Sequence, residues 1–155
     1  MNFIYFNIIQ FIIIIIAIIR LNYNKITNIK KDRIVYENII FNGLIIPLII
    51  YYVIGHLIFT NSVSKSIGWE KSPFQIEVGY FTLALLLVMC WSNYKKTNIE
   101  TKISLSYVWL IFIMLSALNH IYYFINGNKS INNIIPIFVS IITSIIVIMY
   151  SYKLY

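Results

Sequence analysis

Three ionisable side chains interrupt long apolar runs in this sequence: His56, Glu77 and His120. An ionisable group in such a run is expensive, and it usually faces a partner or a water-filled cavity. Two imidazoles and a carboxylate can relay protons, bind a divalent metal, or hold a cationic or quinone-like ligand. Asn119, next to His120, adds a fourth polar group. The bland alternative is a set of hydrogen-bonded packing residues. Other chemistries lack their residues: the chain has no Gly-rich phosphate loop, no Ser-His-Asp spacing and no HExxH. Its single cysteine, Cys90, lies in an apolar run, which rules out an intrachain disulfide and a cysteine metal cluster. No metal site and no cofactor are assigned from the sequence.

These groups must be positioned by the apolar runs around them. Of 155 residues, 60% are hydrophobic and 11% charged, with mean hydropathy +0.81. A soluble domain carries about 25% charged residues. Runs of about 18 to 25 apolar residues match the thickness of a bilayer. The expectation is an all-α integral membrane protein, a single transmembrane domain over 1–155. Five spans can be drawn, at about 2–19, 39–63, 73–94, 103–125 and 134–152. The first lacks a basic leader and a small-residue cleavage site and is read as a retained helix.

The net charge of +7 could suggest a nucleic-acid partner, but the charges lie in the short segments between runs. There they set orientation in the membrane. Arg20, Lys25, Lys30, Lys31, Arg33, Lys95, Lys96, Lys102 and Lys153 fall on one side of a five-span chain. Lys65, Lys71 and Lys129 fall on the other. The rule that cytoplasmic loops are rich in Lys and Arg then gives N-out, C-in, with 20–38 a basic cytoplasmic loop. The expected partner is the lipid bilayer of the plasma or inner membrane, without nucleic acid. Homo- and hetero-oligomers are both left open.

This topology assigns the polar groups a common level. His56 lies seven residues from the outer end of its span, roughly 10 Å deep, and His120 five residues from its own, roughly 8 Å. Glu77 lies roughly 8 Å inside the third span. All three fall in the outer leaflet on three different helices. On the fourth span Ser106, Trp109, Ile113, Ser116, His120 and Tyr123 share one helical face. Tyr52, His56 and Thr60 share another, and Gly55 and Gly79 would allow close helix approach. Before the third span, Ser72, Pro73 and Gln75 read as a helix-cap motif: Ser72 as N-cap, Pro73 at the first helical position, Gln75 reaching back to complete a capping box. Trp69 suits an interfacial anchor, and Gly68 a tight turn.

The elements Gly55-His56, then Ile67-Gly68-Trp69-Glu70-Lys71-Ser72-Pro73-Phe74-Gln75-Ile76-Glu77-Val78-Gly79, then His120-Ile121, resemble a family of small prokaryotic multi-pass membrane proteins classed as a domain of unknown function. The resemblance covers roughly 41–150. Asn119 stands where the family pattern carries Gly. The resemblance implies fold and location and supplies no activity.

Three functions fit these residues: small-molecule, proton or ion handling through the His/Glu cluster, a haem- or metal-binding redox protein using His56 and His120, or a non-catalytic structural subunit. Tyr52, Phe59, Tyr123 and Phe124 crowd the space a haem would need. Whether the protein is an enzyme is not decided by the sequence.

Overall fold

In a computed structural model the described residues are 33–154, with Ile12, Ile15, Ile16 and Ile19 from the first apolar run. Those four are helical and about half exposed, between 47% and 60%. The rest of the expected first span, and residues 20–32 of the expected basic loop, lie outside the described residues. The last residues of that loop, 33–38, are helical instead.

Every described element is a helix. The first element with described bounds is a rod, α1 (36–57), of four pieces: a π-helix Tyr36–Phe41, an α-helix Asn42–Pro47, a second π-helix Leu48–Ile54 and a short α-turn Gly55–Leu57. The second π segment begins directly after Pro47, which has no N–H to close the α-ladder. Then come α2 (Thr60–Ile67), α3 (Phe74–Tyr94), α4 (Ile99–Ile125) and α5 (Ile131–Leu154). The last three are long and apolar enough to cross a membrane.

The expected second span, 39–63, is not one helix. It breaks at Ile58–Phe59, where Phe59 takes φ −106°, ψ 31°. The Thr60 hydroxyl donates to the His56 carbonyl at 2.6 Å, satisfying an acceptor at the end of the rod. Beyond the break, α2 buries Thr60, Val63, Ser64 and Ile67 and exposes Asn61 and Ser62, the pattern of a helix lying on a core.

The expected third span matches α3 to one residue. The fourth begins earlier than expected, at Ile99, because the Asn98 side chain caps it by accepting from the Thr101 N–H at 2.9 Å and the Thr101 hydroxyl at 2.6 Å. The core is built from α1, α3, α4 and α5, around Phe41, Leu48, Met89, Trp109, Val147 and Tyr150, all nearly fully buried. Gly79 is where α3 meets α1. A Cβ there would lie 2.4 Å from Leu57 Cδ2 and 3.3 Å from His56 Cβ.

The two ends of the bundle differ. At one, Glu37 lies 3.6 Å from Arg33 and 3.5 Å from the buried Lys102, and Asn93 donates to Asn42 at 2.6 Å. At the other, α2 is held by the start of α5. The Asn128 amide donates to the carbonyls of Ile67 and Gly68 (2.8 and 3.1 Å), and Asn132 donates to that of Ser66 (2.8 Å). Helix C-termini leave such carbonyls unpaired, and here another element's side chains pair them. Gly68, at φ +70°, provides the left-handed turn that ends α2.

Candidate functional site

The site is a cavity of about 500 Å³ at the α2 end of the bundle. It is reached by both histidines, 64 positions apart in sequence. His56 comes from the last turn of α1, just before the break, and His120 from α4. Asn119 and Ser116 of α4 line it as well. Glu77 does not. It is exposed on α3, and no ion pair or hydrogen bond links it to either histidine among the described residues. The helical period explains this. Gly79 fixes the face of α3 that meets α1, and a residue two positions earlier points about 200° away.

The cap motif is also rearranged. No side chain caps the start of α3. Gln75 is buried, and its side-chain oxygen accepts from the Ser64 hydroxyl at 2.6 Å, so it does not turn back toward Ser72. Ser72 contributes its carbonyl, which accepts from the Gln75 N–H at 3.2 Å, and Pro73 precedes the first residue of α3. The same Ser64 hydroxyl lies 2.8 Å from the Thr60 carbonyl, so its one hydrogen is shared between the two oxygens. The Ser64–Gln75 pair therefore ties α2 to α3 across the cavity wall, where an unpaired amide would be costly.

His120 is 7% exposed, and its Nδ1 lies 2.8 Å from Asn133 Oδ1. The fully buried Asn133 also donates through its amide nitrogen to the Ile67 carbonyl at 3.1 Å. Trp69 stacks on the His120 ring at 5.0 Å between centroids and packs on Tyr123 at 4.7 Å. Tyr52 stacks on His56 at 6.0 Å and meets Trp109 edge-on at 4.6 Å. The His56 Nδ1 atom is buried without a hydrogen-bond partner among the described residues.

Two residues central to this geometry were not singled out for it by the sequence. Trp69, expected as an interfacial anchor, is a wall of the cavity. Asn133 orients His120. Its signal was a pair of asparagines, Asn132 and Asn133, opening a strongly apolar run, in a chain where Asn is common. The expected stripe on α4 does form a face: Ser106, Trp109, Ile113 and His120 are buried, Ser116 is partly buried, and Tyr123 is at its exposed end. Its Ser106 hydroxyl bonds back to the Lys102 carbonyl and serves the helix, not the cavity. Among the described residues no three His, Cys, Asp or Glu side chains gather to hold a metal ion.

The family of unknown function DUF6790 matches the chain over residues 1–154. The chain belongs to this family. No curated protein and no solved structure matches it. The DUF6790 chain is thus all-helical in its described residues, with three membrane-length helices and a two-histidine cavity.

Proposed function

We propose that this chain is a multi-pass protein of the plasma or inner membrane, with five spans arranged N-out, C-in, that binds a small and mostly apolar molecule in the two-histidine cavity. The observation that carries the reading is the convergence of His56 and His120 on one cavity of about 500 Å³. That volume is in the range of small-molecule sites, as is an apolar and aromatic lining with a few polar groups. Small-molecule handling is favoured over a proton or ion path, because Glu77, the carboxylate such a path would use, is outside the cavity. The distribution of charge supports the orientation. Arg33, Lys95, Lys96, Lys102 and Lys153 gather at one end of the described bundle, and Lys65, Lys71 and Lys129 at the other.

The test is mass spectrometry of small molecules that stay bound through purification in mild detergent, for the wild type and for a cavity-filling Ser116→Trp variant. A molecule retained by the wild type and lost from the variant is expected. The same molecules at the same level in both would overturn the reading.

One observation favours haem or metal binding as a second reading. The contact between His120 Nδ1 and an amide oxygen is the kind of outer contact that orients metal-bound histidines. A haem absorption band in the purified protein, lost in His120→Ala, would support it. Its absence together with metal-free protein removes it.

A further inference from the structure

The hydrogen bonds around the two histidines define what the cavity can recognise. Asn133 donates through its amide nitrogen to two carbonyls, Ile67 at 3.1 Å and Asn128 at 3.4 Å. Carbonyls only accept, so they fix which end of the amide is nitrogen. The Asn133 oxygen then faces His120 Nδ1 at 2.8 Å, and an amide oxygen also only accepts. The hydrogen of the neutral His120 ring therefore sits on Nδ1, and Nε2 is left as an acceptor.

At His56 no such contact fixes the ring. Its Nδ1 has no hydrogen-bond partner among the described residues.

The cavity thus offers one acceptor of fixed orientation, His120 Nε2, beside the His56 ring and the hydroxyl and amide groups of Ser116 and Asn119. Its lining contains no Lys, Arg, Asp or Glu, so nothing there balances a charged ligand. Tyr52, Trp69, Phe74 and Phe112 contribute flat apolar surface. We propose that the ligand is a neutral, membrane-soluble aromatic alcohol, a phenol or hydroquinone ring whose O–H donates to His120 Nε2. The proposal rests on the small-molecule reading above and narrows it to a chemical class. The reduced hydroquinone form, which has a hydrogen to donate, is preferred to the oxidised quinone, which has none.

The test uses the full-length protein in lipid nanodiscs, with empty nanodiscs as the blank. Radiolabelled 4-butylphenol is compared with its methyl ether, 4-butylanisole, which keeps the shape and loses the donor. We expect the phenol to bind about fivefold tighter or more, from the net worth of one hydrogen bond. In His120→Phe that preference should vanish while the ether still binds. Equal binding of phenol and ether by the wild type overturns this inference and leaves the cavity reading in place. Binding of neither above the blank overturns both. Should the variant not fold, the wild type decides through ¹⁵N-histidine spectra. His120 must show a protonated Nδ1 and an unprotonated Nε2, and the opposite tautomer overturns the inference.

Discussion

Glu77 and His120 show how differently two ionisable residues in apolar runs can be used. Both stood out for the same reason, and both were assigned nearly the same depth. The structure gives His120 a hydrogen-bond partner, an aromatic cover and a cavity, and leaves Glu77 exposed and unpaired among the described residues. Depth along a helix follows from counting residues. Azimuth is settled by what the neighbouring helix does, here by the close approach at Gly79. This sets an expectation: Glu77→Gln leaves thermal stability in detergent within about 0.5 kcal/mol of wild type, as for substitutions remote from packed features. It also leaves retention of the cavity ligand unchanged. A melting temperature or ligand content reduced as far as in a His120 variant would show that Glu77 has a partner that counts.

At the level of the elements, the long apolar helices were legible and their junctions were not. Hydropathy located α3 to one residue and α5 to within three. It gave one span where the chain forms a rod, a break and a second helix, because Ile58 and Phe59 at the break itself are as apolar as the residues before them. The break depends on a hydroxyl, Thr60, that competes for a backbone carbonyl. The helix-cap residues Ser72, Pro73 and Gln75 were legible as the start of a helix, and α3 does begin beside them. Their side-chain roles were not, since Gln75 has a better partner in Ser64, eleven residues back in another helix.

The contact of α1 with α3 gives the sharpest prediction at this scale. Gly79→Ala places a Cβ 2.4 Å from Leu57 Cδ2. The helices must shift or the Leu57 side chain must turn, at about 1–3 kcal/mol. Leu57→Ala in the same chain removes the clash. The double variant should therefore be less destabilised than the sum of the two single variants, as measured by thermal unfolding. Additive effects would mean that the helices do not meet there. At the opposite end, Glu37→Gln leaves Lys102 buried without its counter-charge. The expected loss is about 1–2 kcal/mol, below the range for fully buried pairs because the Glu37 side chain is 26% exposed.

For the whole molecule, the fold and its orientation in the membrane make separable predictions. The hydrogen bonds from Asn128 and Asn132 to the end of α2 require the segment after α2 and the segment after α4 to be on the same side of the bundle. The turn between α3 and α4 must be on the other, where Glu37 meets Lys102. Single cysteines at the exposed positions Glu70, Lys95 and Asn126, in a Cys90→Ser background, test both levels with a membrane-impermeant maleimide on intact cells. Glu70→Cys and Asn126→Cys should behave alike, and Lys95→Cys oppositely; different labelling of the first two would contradict the fold. The proposed N-out, C-in arrangement adds that Glu70→Cys and Asn126→Cys are the labelled pair, with Lys95→Cys labelled only after lysis. If the pattern is inverted, the fold stands and the orientation fails, and the cavity then opens toward the cytoplasmic leaflet. That distinction bears on the ligand, because it decides from which side of the membrane a neutral aromatic alcohol would be drawn.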